Sequence, residues 1–152
     1  AFDKNCYAND RSNFMQGSGR DRVSKPSVDT KRNKSPKKQR SQKLGRWAEG
    51  LVRWYLRATG RRIVATNCKT PVGEIDIIAK RGNLLSFIEV KARGDEASAA
   101  HAISQHQQRR IERAAAYFLT QNPALQSCDV RFDVALVYGP LRLRYMADAW
   151  RP

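Results

Sequence analysis

The sequence predicts an α/β domain in which helices pack on a sheet, and three observations predict it. Leu44, Trp47, Ala48, Leu51, Val52, Tyr55 and Leu56 fall at i, i+3, i+4, i+7, i+8, i+11 and i+12, the period of an amphipathic helix. From 61 to 91 the chain instead reads as short apolar stretches broken at Pro71, Gly73, Gly82 and Asn83, the pattern of strands joined by turns. A second helical period over roughly 104–120 is followed by two more strand-like stretches. The order helix, three strands, helix, strands is that of a sheet covered by helices.

Residues 1–43 stand apart in composition. They hold twelve Lys/Arg and four Asp/Glu and are rich in Ser, Asn and Asp, with few apolar residues. Such a segment buries too little surface to offset the entropy of ordering it. It is expected to be a disordered basic tail, with the folded domain spanning 44–152.

In the domain, Thr59-Gly60 closes the first helix, with Gly at the C-cap position. Trp47 lies mid-stripe and is expected in the core, with Trp54 at the edge. Arg46, Arg53 and Arg57 take the opposite face, and Glu49 sits at the rim of the stripe. Strands are expected over 61–67, 74–80 and 84–91, a loop over 94–100, and strands over 130–138 and 141–146. Ile111, Ala114, Ala115, Phe118 and Leu119 give the second helix its apolar face, with Gln107 one turn earlier on the same stripe.

The middle hairpin carries the most chemistry. Gly82-Asn83 suits a two-residue turn, so Arg81 should pair with Leu84 and, counting back, Asp76 with Glu89. Opposed like charges destabilise an antiparallel pair, and a divalent metal between the carboxylates relieves that. The same count sets Lys91 opposite Glu74. Glu89 and Lys91 should share a face with Asp76, since side chains alternate along a strand. Two acids and a lysine converging on one face outline a metal-assisted hydrolysis site.

Charge indicates the partner. Twenty-nine Lys+Arg against fourteen Asp+Glu give a net charge of +15, and the pI is near 10.4. That excess points to nucleic acid or another polyanion. No stretch approaches the ~18 apolar residues of a membrane span, and the first twenty residues lack the apolar run of a signal peptide. A cytoplasmic protein with no membrane partner is expected. Cys6, Cys68 and Cys128 lack metal-type spacing and read as reduced thiols without a role. His101 and His106, five apart, are badly spaced for a shared helical metal site.

The order of Glu49, Asp76 and Glu89-x-Lys91 resembles the signature of PD-(D/E)XK nucleases. Gly45-Arg-Trp-Ala-Glu49-Gly, Asn67, Gly73-Glu-Ile-Asp-Ile-Ile, Phe87-Ile-Glu-Val-Lys-Ala-Arg93, Gln107-Gln-Arg-Arg-Ile111 and Arg131-Phe-Asp-Val134 are together similar to the YraN-type bacterial family. That family is considered endonuclease-like and related to Holliday junction resolvases, and the match covers about residues 44–150. The resemblance implies a restriction-endonuclease-like αβββαβ core, a central mixed sheet flanked by helices. It also implies a Mg²⁺ ion, with Mn²⁺ as the alternative, held by Asp76, Glu89, the Val90 carbonyl and Glu49. Lys91 would orient the attacking water and stabilise charge on the phosphate. The family usually has Lys where this chain has His106, which makes any phosphate contact there weaker and pH-dependent.

The expected function is therefore metal-dependent hydrolysis of DNA phosphodiester bonds, with branched or flapped DNA suggested by the resemblance. Asp76, Glu89, Lys91 and Glu49 are the expected catalytic residues. Arg93, Gln107, Arg109, Arg110 and Arg113 are the expected nucleic-acid contacts, more positional than sequence-reading. DNA ranks ahead of RNA, and a homodimer is compatible with two-strand cutting. The alternative is a nucleic-acid-binding or scaffold protein that keeps the fold without turnover.

Overall fold

The computed structural model describes residues 36–93, 103–138 and 141–152, with side chains from Leu44 onward except that of Arg93. The elements are α1 (Pro36–Ala58), β1 (Arg62–Thr70), β2 (Gly73–Arg81), β3 (Leu84–Arg93), α2 (Gln105–Gln121), a 3-10 turn (Pro123–Leu125), β4 (Asp129–Tyr138) and β5 (Arg142–Trp150). α1 thus begins inside the stretch whose composition suggests a tail. Residues 1–35, the loop expected over 94–100 and His101 lie outside the described residues.

The five strands form one sheet in the order β1-β2-β3-β4-β5. β3 and β4 are parallel and the other neighbours antiparallel. The sheet is therefore mixed, and its one parallel pair is joined through α2, since parallel neighbours need a crossover. This α/β architecture, two helices on a mixed five-stranded sheet, is consistent with a restriction-endonuclease-like core.

Each sheet face has its own core. On one, Ala48, Val52 and Leu56 of α1 pack on Ile77, Ala79, Ile88, Ala135 and Val137. On the other, Ile111, Ala114, Ala115 and Phe118 of α2 pack on Cys68, Ile75, Ile78, Leu85 and Phe87. The face read for α2 from its period is therefore the buried one. Ser104 caps this helix, accepting a hydrogen bond from the Gln107 N–H.

α1 is rotated relative to the expectation. Its fully buried line is Ala48, Val52 and Leu56, while Trp47 is 40% exposed and Leu44 is exposed too. The apolar arc of α1 is wider than the face the sheet covers, so the bulky residue at its far side is left outside. Trp47 is not a core residue.

The turns follow the local chemistry. Thr70 Oγ1 accepts from the Gly73 N–H and donates to the Gly73 carbonyl, closing the two-residue Pro71-Val72 connection. Gly82, at φ 58, opens the Gly82-Asn83 turn, and Arg81 pairs with Leu84. Gly73 lies against α2, where a Cβ would stand 2.9 Å from the Arg110 carbonyl oxygen.

Asp133 is fully buried in β4 beside a register shift between Phe132 and Val134. Arg131 donates to both its oxygens at 2.7 and 2.9 Å, the Tyr145 hydroxyl at 2.5 Å and the Asp148 N–H at 2.9 Å. Burial, then the bond to Asp133, pushes the Tyr145 phenol well above its usual range. Asp148 sits at φ 54, and its N–H is aimed at Asp133. No buried side-chain N or O among the described residues lacks a hydrogen bond. Asp133 is therefore a closed structural tie between β4 and β5. Cys68 is buried and Cys128 half-buried, both as free thiols. No described helix is long and apolar enough to cross a membrane.

Candidate active site

The β2–β3 ladder runs from Arg81↔Leu84 to Ile77↔Ile88, so its register points at Asp76 facing Glu89. It stops one pair short of them. In place of another rung, the Val90 N–H donates to Asp76 Oδ2 at 2.8 Å. The expected Lys91–Glu74 pairing is absent from this ladder as well. Glu74 is exposed and level with Lys69 of β1, while Lys91 Nζ lies 2.7 Å from Glu89 Oε1.

β2 is rolled at this point. Ile75 belongs to the core under α2 and Ile77 to the core under α1, although residues two apart on a regular strand share a face. In β1, Asn67 lies between the pairs Thr66↔Ile77 and Cys68↔Ile75, level with Asp76, and has φ 50. Both strands are thus distorted where the sheet opens. Asp76 lies in that opening, between acids that come from its two sides.

On the α2 side, Glu89 is only 7% exposed. Its Oε1 accepts from Lys91 and also from Gln107 Nε2 at 2.6 Å. On the α1 side, Glu49 Oε2 accepts from Asn67 Nδ2 at 3.0 Å. Asp76 responds to both. Burial chiefly, then Glu89, and to a smaller extent Glu49, push its carboxyl up to about 7, against the Val90 N–H and Lys91.

The structure thus brings Asp76, Glu89, Lys91 and Glu49 into one electrostatic unit. Gln107 gives its side-chain amide N–H to Glu89. Arg109, Arg110 and Arg113 are exposed on α2, as is His106, and the Arg93 side chain lies outside the described residues. Asn67, which donates to Glu49, is the residue of this unit that the sequence reading left without a role. Its signal was an Asn inside a strand-like run, a residue depleted in strands and tolerant of positive φ.

The donor set is one of hard carboxylate oxygens, which suits Mg²⁺ or Mn²⁺ in kind. The mutual repulsion recorded in the Asp76 carboxyl is what a divalent cation would relieve. Among the described residues, however, no three His, Cys, Asp or Glu side chains already stand close enough to hold an ion together. The acids fit such an ion by chemistry and would have to close on it. A separate cavity of about 490 Å³, lined by Leu84, Val130, Phe132, Asp148 and Trp150, lies by the opposite end of β3. Five residues of strand, roughly 16 Å, separate Leu84 from Glu89, so that cavity has no part in this chemistry.

A family profile described as "Uncharacterised protein family UPF0102" matches residues 48–137, a span that contains all four residues of the unit. The chain belongs to the UPF0102 family. It is 49% identical over 110 residues to a UPF0102 protein of Parvibaculum lavamentivorans, covering 72% of this chain and 83% of that one. It is 46% identical over 118 residues to one of Paramagnetospirillum magneticum, covering 74% and 91%. A third, from Erythrobacter litoralis, is 40% identical over 116 residues and matched over 99% of its length. The YraN-type resemblance read from the sequence is thus borne out. For this UPF0102 protein the family description names no activity, and the chemistry rests on the carboxylate unit itself.

Proposed function

We propose that this UPF0102 protein is a metal-dependent nuclease that hydrolyses DNA phosphodiester bonds. The observation that carries the reading is Asp76 standing where the β2–β3 ladder ends, its carboxyl raised to about 7 by burial, Glu89 and Glu49. A fold gains nothing in stability from gathering three acids, and perturbed carboxyls of this kind mark reactive sites. Bound by Asp76, Glu89, Glu49 and the Val90 carbonyl, a Mg²⁺ or Mn²⁺ ion would polarise the phosphate and lower the pKa of an attacking water.

The chain's own residues have distinct tasks. Asp76 must lose its proton to act as a ligand, and the Val90 N–H favours that ionised form. Lys91, on Glu89 Oε1 in the resting site, has donors left over to meet a phosphate oxygen. Gln107 and Asn67 hold Glu89 and Glu49 in orientation. The exposed arginines of α2 and the net charge of +15 supply phosphate attraction independent of sequence.

The test is a labelled panel of single-stranded, duplex, flapped and four-way-junction DNA with a matched RNA, in Mg²⁺, Mn²⁺ or EDTA. Cleavage that needs the metal and is lost in Asp76→Ala is the expected result. A rise in melting temperature with Mg²⁺, absent in Asp76→Ala, is the expected result independent of activity. A second reading, a binding protein without turnover, is favoured by the lack of three converged ligands among the described residues. Binding with neither cleavage nor a metal-induced shift would establish that reading instead.

A further inference from the structure

The outer face of α1 carries two features that the carboxylate unit does not use. Trp54 is 67% exposed and Trp47 40% exposed. Large aromatic side chains are seldom left bare in this way without a partner. Beside them stand Arg46 and Arg57, exposed, and Arg53, half-buried. Among the described residues none of these three arginines is in an ion pair.

Their order round the helix connects them to the site. At about 3.6 residues per turn, the circuit from Glu49 meets Arg53, Arg46 and Arg57 and then Trp54 and Trp47. Glu49 faces Asn67 at the carboxylates, so the arginines lie between the acids and the indoles. We propose that this face of α1 is a track for single-stranded nucleic acid. Its backbone crosses the arginine row and its bases stack on Trp54 and Trp47. The proposal rests on the nuclease reading for its direction, outward from the carboxylates. It deepens that reading by naming the substrate class as one with an unpaired strand.

Charge selects this occupant over a second copy of the chain. Two such faces brought together would oppose two rows of arginines on molecules of net charge +15 each. A polyanion with flat apolar bases satisfies both the guanidinium groups and the indoles. Stacking on an indole tolerates any base, whereas a duplex keeps its bases within its own stack.

The test is binding in EDTA, where no metal-dependent cleavage occurs, read by anisotropy of a labelled single strand and of a hairpin duplex. Trp54→Ala is expected to weaken single-strand binding about fivefold or more and duplex binding by less than twofold. Trp54→Phe is expected to keep most of the affinity, because its ring still stacks. Changing Arg46, Arg53 and Arg57 to Gln should reduce the salt slope by about 0.7 per charge lost. Unchanged single-strand affinity in Trp54→Ala would overturn the track, as would equal losses on both substrates. A dimer that sedimentation shows to fall apart in Trp54→Ala would give the face to a second copy instead. Failure of the nuclease reading alone looks different: single-strand binding stays sensitive to Trp54 while no substrate is cut in any metal.

Discussion

Asp76 keeps a proton near neutral pH that the unfolded chain gives up near 3.8, the ordinary value for its carboxyl. Between those two values the folded state binds more protons, so stability falls as pH rises from about 4 to about 7 and is level above. Below about 4 both states hold the proton and the site contributes nothing. Asp76→Asn removes the ionisable group but keeps an oxygen to accept from Val90. The variant should match the parent near pH 4 and exceed it at pH 8 by a few kcal/mol, since each pH unit between the two values contributes about 1.4 kcal/mol. Urea melts at the two pH values read this directly, and equal differences at both would refute it. Gln107→Ala takes a donor away from Glu89 without removing any candidate ligand. It should weaken Mn²⁺ binding about 10- to 100-fold, measured by calorimetry, with little change in melting temperature. Asp76 and Glu89 were legible because a two-residue turn fixes the register of everything counted back from it. Asn67 was not legible, because its value comes from a positive φ that no periodicity announces. Gln107 was visible on the right stripe, but only the packing of α2 against the sheet reveals that it meets Glu89.

At the scale of elements, the periodic helix α2 and the hairpin turns followed the sequence closely, since both are set by local chemistry. α1 departed because a period gives the direction of an apolar arc and not how much of it the sheet will cover. Ala48, Val52 and Leu56 won the interface, and Trp47 was left to solvent. β5 also runs on to Trp150, past the expected end at 146. There Asp133 ties the strand through the Asp148 N–H, and Trp150 stacks on Phe132 while donating to Glu112. Those contacts come from residues far apart in sequence. The placing of α2 on β2 depends on Gly73, because the nearest atom to an added Cβ would be backbone, the Arg110 carbonyl oxygen. Gly73→Ala should therefore push α2 outward and lower stability by about 1–3 kcal/mol. Denaturant unfolding measures this, and Mn²⁺ affinity should fall with it, since α2 carries Gln107.

At the scale of the molecule, the sheet serves two cores at once. The acids sit where β1 and β2 distort and the β2–β3 ladder ends, so Glu49 arrives from one layer and Gln107 from the other. Arg109, Arg110 and Arg113 stand exposed on α2, the helix whose Gln107 reaches this small acidic centre. In the proposed nuclease, those arginines would attract the polyanion while the acids take the cation.

The early end of the β2–β3 ladder also bears on the order of assembly. Asp76 and Glu89 belong to a single hairpin, whereas β4 joins β3 through pairs that are each forty-five positions apart, from Leu84↔Asp129 onward. Local pairings form fast and distant ones slowly. The two carboxylates therefore meet before α2 can bring Gln107 to Glu89. Their repulsion at that stage is full at neutral pH, because the burial that chiefly raises the Asp76 carboxyl comes only with the packed sheet. Stopped-flow refolding without metal at neutral pH should be faster in Asp76→Asn than in the parent, and equal rates would refute the idea. The same two acids that would serve the reaction thus act as a brake on the folding chain.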